Sequence, residues 1–424
     1  MMTASTLVDT RPTPTATAAR AWWGVAAAVF AIAWGGNEFT PLLVMYKNDG
    51  LPVTTVNLLL FEYVLGIVPA LLIGGPLSDR YGRRRLMCPA PLITALGSTL
   101  LAFGAGTVPM LSIGRVLCGI GLGLAMAVGS SWVKELSQPP FASASAPGTG
   151  ARRSAMSLTG GFAIGAGLAG VLAQWAPWPA TLAYLINVAL CLIAAVWVLR
   201  APETVATQRT PQPLWEDLRI PAAGHRRFRA VALPLALWLF TSAAAAYAIL
   251  PTLAADRVAG TPIAFSALIT VITLGCGFAI QSVARRIDLP GTARIAVLSL
   301  VLTTAGMGAA VYAAATLHLW AVVATAAVLG FGFGIGMVAG LQEIERIARP
   351  DDLAGLTAVF YSVSYLGFGS PALLSLLHNA LHLGYPVMFA AGAVIALACL
   401  AVVVNNYRDP DATTAAVPAG RRVP

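Results

Sequence analysis

The sequence predicts an all-α membrane protein: twelve transmembrane helices in two related six-helix bundles. Three observations lead there. Of 424 residues, 58% are hydrophobic and only 10% are charged, whereas soluble domains carry about 25% charged residues. The apolar residues gather into twelve runs near the roughly 20 residues that a bilayer crossing needs. The two halves of the chain also repeat each other.

The chain opens with residues 1–20, polar and rich in Thr, Ala and Pro, expected to be a disordered tail. The next run is too long for the core of a signal peptide and has no cleavage pattern after it, so it counts as the first span. The spans lie at roughly 21–46, 54–74, 86–104, 109–131, 154–174, 180–199, 230–250, 263–283, 294–315, 318–340, 353–377 and 384–405. Residues 132–153 are rich in Ser, Ala, Pro and Gly and read as a flexible loop. Residues 200–229 form a longer charged linker between the halves. The expected units are therefore a tail at 1–20, a first bundle at 21–199, a linker at 200–229, a second bundle at 230–406 and a tail at 407–424.

Charge sets the orientation. With the N-terminus inside, 23 of the 26 Lys and Arg residues fall on the inner side. Only Lys47 and Arg257 lie outside, and Arg115 sits within a span. Such a bias predicts both termini in the cytoplasm and a cell-membrane location. It also accounts for the net charge of +9 without nucleic acid.

The repeat shows in the small residues. Gly119, Gly121, Gly123 and Gly129 match Gly330, Gly332, Gly334 and Gly340 at an offset of 211. Pro41 and Pro52 match Pro251 and Pro262 at an offset of 210. Two related bundles follow.

Other chemistry finds little support. Cys88, Cys118, Cys191, Cys276 and Cys399 stand in apolar runs without paired spacing and read as small buried hydrophobes. His318, His378 and His382 have no acid or Cys beside them and read as loop histidines, with no metal expected. The glycines from Gly330 to Gly336 lack the lysine and strand of a nucleotide loop. No ATPase or nucleophile pattern appears, so neither an enzyme nor a cofactor is predicted. Movement would be driven by an ion gradient, or run downhill.

The densest polar stretch is Gly75-Pro76-Leu77-Ser78-Asp79-Arg80-Tyr81-Gly82-Arg83-Arg84-Arg85. It reads as a short hairpin between spans two and three, held in water by its charges. Three ionisable groups lie inside spans instead: Glu38, Glu62 and Arg115. Each stands eight residues from the outer end of its span, about 12 Å deep at 1.5 Å per residue. Such groups are costly in hydrocarbon and read as functional. One acid can pair with Arg115, leaving the other to exchange protons; a static triad locking three helices is the alternative. The positions 210 or 211 residues on are Ala248, Ile272 and Ala326, so proton chemistry is expected in the first half alone.

Helical spacing places Tyr361, Tyr365 and Phe368 on one face of span eleven, and Phe240 and Tyr247 on one face of span seven. These aromatics are candidate cavity lining for a hydrophobic ligand, aromatic or cationic, with ordinary packing as the alternative. Asn37, Trp34 and Gln281 are further candidates.

On these residues the chain resembles the major facilitator superfamily over essentially its whole length. Gly75-x-x-x-Asp79-Arg80-x-Gly82-Arg83-Arg84 resembles that family's signature between helices two and three. Arg115 followed by Gly119, Gly121 and Gly123 is similar to its helix-four motif, often linked with proton coupling. Pro202-Glu203-Thr204 resembles a familiar ending of the first half. Gly161, Gly165, Gly167 and Gly170 resemble the antiporter motif of helix five, with Ala166 where the proline would stand. Asn37-Glu38 before Pro41 looks like the acidic helix-one site of proton-driven drug exporters.

The resemblance implies the major facilitator fold and a secondary transporter working by alternating access as a monomer. It implies a small-molecule substrate and protons as partners, and favours proton-coupled efflux of a hydrophobic drug or metabolite, with Glu38 as the preferred proton carrier. The hairpin would latch the bundles in one state, with Asp79 near the start of span eleven at Pro350-Asp351-Asp352, and with Arg80, Arg83 and Arg84 reaching Glu135, Glu345 or lipid phosphates. Uptake of a small nutrient, lipid movement and a transport-inactive sensor are the alternatives.

Overall fold

A computed structural model describes residues 20–142, 148–205, 220–349 and 352–408. Most of both tails, the middle of the linker, and Arg11, Arg209, Arg219, Pro350, Asp351, Arg421 and Arg422 lie outside the described residues. Among those described, eleven helices are long and apolar enough to cross a membrane, and Leu182–Val198 is a shorter apolar helix that completes twelve. In chain order they are α1 Trp22–Asn48, α2 Val53–Tyr81, α3 Arg83–Phe103, α4 Val108–Leu136, α5 Thr149–Trp175, α6 Leu182–Val198, α7 Phe228–Leu253, α8 Pro262–Ile287, α9 Arg294–Thr316, α10 Leu319–Ile347, α11 Leu353–Leu381 and α12 Tyr385–Asn405. Pro41, Pro69 and Pro76 stand inside α1 and α2, where each frees a carbonyl one turn earlier that neighbouring helices and local adjustment can satisfy.

Two sequence expectations are corrected. Gly75–Tyr81 is not loop but the last two turns of α2, and the chain breaks only at Gly82, whose φ is +96°. Residues 132–153 are not one flexible loop either, because α4 runs on to Leu136 and α5 begins at Thr149. The cause is common to both. Hydropathy falls where charge begins, but helical hydrogen bonds continue into the headgroup region.

The halves are built by the same contacts. Each glycine of the repeated motif stands where a Cβ would strike the facing helix. At Gly119 it would lie 2.1 Å from Tyr63 O, and at Gly330 it would lie 2.4 Å from Thr273 O. At Gly123 it would meet Ile67 O at 2.7 Å, and at Gly334 it would meet Gly277 O at 2.0 Å. The partners Tyr63 and Thr273, and Ile67 and Gly277, are themselves 210 residues apart. So α4 seats on α2 as α10 seats on α8, by backbone approach that only small residues permit. The same holds one helix over, where Gly97 faces Cys118 and Gly306 faces Leu329.

Call the side carrying Gly82 the hairpin face and the opposite side the far face. The halves meet through α5 against α8 and α2 against α11. On the far face the contacts are polar. The Gln174 side-chain oxygen accepts from the backbone N–H groups of Ile263 (3.0 Å) and Ala264 (3.2 Å), and its amide donates to Gly260 O at 3.0 Å. Gln174 thus caps the first turn of α8 from the other half. Lys47 donates to Thr252, Asn57 to Pro371 O and Asn379 to Thr54. Lower down, Gly170 of α5 touches Ala267 of α8. These contacts join the halves on the far face, around a recess lined by Lys47, Asn57, Thr252 and Asn379.

Replacing Gly119 or Gly334 by Val is expected to abolish the folded monodisperse peak in detergent size-exclusion chromatography. Gly308→Ala, where a Cβ meets nothing within 4 Å, should leave that peak unchanged.

Candidate functional site

Between the halves lies a cavity whose wall runs from mid-membrane toward the hairpin face. Gly36, Asn37 and Thr40 of α1, Tyr63 of α2 and Arg115 of α4 form one side. Phe240 and Tyr247 of α7, Phe333 of α10, and Tyr361, Tyr365 and Phe368 of α11 form the other. Thr159 of α5 and Gln281 and Arg285 of α8 stand nearer the mouth. The cavity therefore opens on the face opposite those contacts.

The aromatic side is one connected stack. Phe240 lies 4.3 Å from Tyr365 and 4.9 Å from Phe368, centroid to centroid, with interplanar angles of 22° and 24°. Gly367 permits this, since a Cβ there would come within 2.4 Å of Thr241 N and push α11 off α7. Tyr365 also reaches across to the first half, its hydroxyl 3.2 Å from Met126 Sδ.

Arg115 is 1% exposed. Its guanidinium lies between two rings, 4.4 Å from the centroid of Phe39 and 4.3 Å from that of Tyr63, contacts worth about 0.5–2 kcal/mol each. Nε donates to Leu59 O at 3.1 Å, and Nη1 has no hydrogen-bond partner. The sequence suggests an acid paired with Arg115. Among the described residues no carboxylate lies within 4.0 Å of it, because the two rings take the positions that a carboxylate would need.

Glu38 is fully buried, and neither of its oxygens is hydrogen-bonded. It does not line the cavity as its neighbour Asn37 does. One residue along a helix turns a side chain by about 100°, and this turns Glu38 into the first bundle, where Trp34, Ser98 and Arg115 are the polar groups around it. The Trp34 indole N–H and the Tyr63 hydroxyl are likewise buried without partners. Trp34 is not among the lining residues. Beside this cluster, Asn187 of α6 donates to Ala31 O at 2.7 Å and accepts from Ser98 at 2.8 Å, fixing α1 against α3 and α6.

Glu62 is half-buried and is not brought to the cavity. It stands three residues before Leu65 and four after Leu58, which are 56% and 40% exposed. Counting depth along a span leaves the azimuth open. Glu62 stays off the cavity wall, and one of its oxygens is buried without a hydrogen-bond partner.

Leu274, Phe278 and Arg285 escaped sequence reasoning, whereas Gln281 was a candidate and does line the cavity. Leu274, Phe278, Gln281 and Arg285 recur at i, i+4, i+7 and i+11 of α8, a spacing that marks one helical face. Nothing in the sequence pointed to Gln174, whose role depends on where α8 starts.

The hairpin is held by its own half. Asp79, 57% exposed, pairs with Arg83 at 2.6 Å. Arg83 also binds Glu135 at 2.9 Å, and Glu135 accepts from the Thr204 hydroxyl. Arg84 donates to Leu199 O at 2.6 Å. Arg80 is half-buried, Arg85 is exposed, Gly75 faces open space and Glu345 is exposed. Glu203 is the centre of the arrangement. Its carboxylate accepts the first N–H groups of α3, from Arg83 and Arg84 at 2.9 Å each, and those of Thr204 and Val205. A Cβ on Gly82 would fall 2.5 Å from that carboxylate. A carboxylate is well placed at a helix N-terminus.

Burial alone would raise the Glu203 carboxyl, but the four backbone donors outweigh it and hold the group below its ordinary value of 4.5. A depressed acid stabilises above its unfolded value and loses that contribution as pH falls through the folded one. Thermal unfolding in detergent should therefore show wild type above Glu203→Gln at pH 7, with the gap, about 1–3 kcal/mol, closing below pH 4.5.

A family model described as the Major Facilitator Superfamily matches residues 24–280, more than half the chain. The chain is 25% identical over 393 residues to a chloramphenicol resistance protein of Pseudomonas aeruginosa, covering 88% of each. It is 30% identical over 215 residues to the multidrug efflux pump LfrA of Mycolicibacterium smegmatis, 49% of this chain and 40% of that protein. Among solved structures, the nucleoside transporter NupG aligns with a TM-score of 0.71 at 12% identity, over 91% of this chain and 99% of the other, a likeness of fold. Twelve helices in two repeated bundles, a cavity between them and this match agree: the chain belongs to the Major Facilitator Superfamily, a family of multi-pass membrane transporters of small molecules.

Proposed function

We propose that this chain exports a small hydrophobic compound in exchange for protons, by alternating access between two bundles acting within one chain. The observation that carries the reading is Glu38, a fully buried acid with no hydrogen-bond partner beside a cavity that opens toward the hairpin face. The relatives named for chloramphenicol resistance and multidrug efflux support the direction and the kind of cargo. The excess of Lys and Arg on the hairpin side supports that side as cytoplasmic, in the cell membrane, with both termini there.

The exchange follows from what a closed bundle tolerates. An ionised carboxylate with no partner costs several kcal/mol in such an interior. The bundles can then pass through the closed intermediate when Glu38 carries a proton, or when substrate fills the cavity and supplies the missing contacts. They cannot do so when neither condition holds. A proton would thus travel inward on Glu38 and substrate outward past Asn37 and Arg115. Of the two acids, the geometry favours Glu38 over Glu62.

The hairpin is the proposed gate. Closing its face would bring the end of α2 toward the start of α11, and exposed Asp79 could then exchange Arg83 for the partial positive charge of that helix N-terminus. Arg83, Arg84 and Arg80, with Gly75 and Gly82, shape the turn that makes the exchange possible.

In everted vesicles energised by respiration, wild type should release protons when a transported compound is added. Glu38→Gln should lose proton release and gradient-driven transport by at least about tenfold while still binding the compound. Gradient-dependent transport by Glu38→Gln equal to wild type would remove Glu38 from the coupling step. Uncoupler-sensitive accumulation of the compound in intact cells would reverse the direction.

A further inference from the structure

We infer that the central cavity discriminates by charge: it takes molecules that join an aromatic or apolar body to a head accepting hydrogen bonds, and it turns away cations. This rests on reading the cavity as the substrate site. The lining contains two cationic side chains, Arg115 and Arg285, and no Asp or Glu among the described residues. The nearest buried acid, Glu38, is not on the wall and has no ion pair with Arg115 within 4.0 Å. A ligand at mid-membrane therefore meets a guanidinium whose nearest acid, Glu38, is off the wall and more than 4.0 Å away.

The polar groups reinforce the sign. Arg115 Nη1 and the Tyr63 hydroxyl are both buried without a hydrogen-bond partner. At mid-membrane Asn37 is already engaged: its Oδ1 receives the Thr40 hydroxyl at 3.1 Å, while its Nδ2 donates to Phe162 O at 3.3 Å. The unused guanidinium donor fits a carbonyl, nitro or carboxylate head. An ammonium, which only donates, finds no carboxylate on the wall and only neutral acceptors such as Gln281.

The aromatic wall could argue the other way, since ring faces attract cations. Two of those faces, on Phe39 and Tyr63, are already occupied by Arg115. Phe240 is stacked against Tyr365 and Phe368, which leaves ring edges and outer faces suited to apolar and aromatic bodies. At the mouth Arg285 is exposed on α8 and adds positive potential to the approach. Repulsion by two like charges in a low-dielectric cleft outweighs the remaining ring attraction.

The test is equilibrium binding to the purified full chain in detergent, by calorimetry and without any proton gradient. The probes are aromatic scaffolds each made in three forms: the amide, the carboxylate and the amine, for example phenylbutyramide, phenylbutyrate and phenylbutylamine. The amide or carboxylate should bind at least about tenfold more tightly than the matched amine. Arg115→Gln should remove that preference by weakening the acceptor heads and strengthening the amine. Because Arg115 is buried and its loss could cost folding, Arg285→Gln on the exposed mouth is the second variant, expected to narrow the preference about threefold.

Amines binding as tightly as their amides or carboxylates would overturn the inference, as would no binding by any acceptor-bearing form. So would a preference untouched by both variants. Binding without a gradient is independent of the direction of transport. Failure of proton exchange in vesicles would leave this result standing, and failure here would leave proton exchange standing.

Discussion

Hydrocarbon offers a polar group no partner, and each feature of this protein answers that constraint. Backbone groups are satisfied by running the chain as helices. Most charge is moved to the faces, where 23 of 26 Lys and Arg residues are expected on one side. Charge that stays near the hairpin face is neutralised locally. The Glu135–Arg83–Asp79 cluster and the Glu203 clasp do this in the first half. Glu343, bound by Arg227 and by Arg346, which also reaches Asp288, does it in the second. Against that background, the groups left without partners stand out.

Such atoms occur in both halves, Trp238, Thr325 and Ser362 among them, but four of the groups gather in the first. Glu38, Trp34, Tyr63 and Arg115 all carry buried polar atoms with no hydrogen bond, and all belong to the first half. An interior usually satisfies such atoms, so a cluster of exceptions points to a second arrangement in which they are used. The far-face contacts and the open hairpin side show which arrangement is present. Gln174 holds α8 from across the interface, while Thr159, Gln281 and Arg285 stand apart around the mouth. The two bundles are knit inside by glycine contacts and joined to each other along α5 with α8 and α2 with α11, an arrangement that suits the proposed rigid-body exchange.

Much of this could be read in the sequence, for stated reasons. Span number and the repeat were legible because bilayer thickness and backbone approach impose length and glycine directly. The 210-residue spacing even reappears in the contact partners, Tyr63 with Thr273 and Ile67 with Gly277. Phe240, Tyr247, Tyr361, Tyr365 and Phe368 were accessible through helical spacing, and Asn37 and Gln281 as candidates without a placement; all of them line the cavity. What was not legible depends on azimuth and on long-range partners. Glu62, expected level with Glu38 and Arg115, is off the cavity wall, and Arg115 lies against two aromatic faces with no acid within 4.0 Å. Glu203 was visible only as part of a familiar tripeptide. Its work as the cap of α3 requires knowing that residue 203 returns to Gly82.

The central claim is that a proton on Glu38 decides which face is open. It is tested most directly by spin-label distances on both faces at once. One pair would sit at Met156 and Val283, exposed on α5 and α8, and the other at Asp49 and Arg257, exposed on the far face. The proton-switch mechanism predicts that the two wild-type distances move in opposite senses between low and high pH. In the Glu38→Gln background both distances should hold one distribution throughout. Distances in that variant that still shift with pH as in wild type would contradict the mechanism.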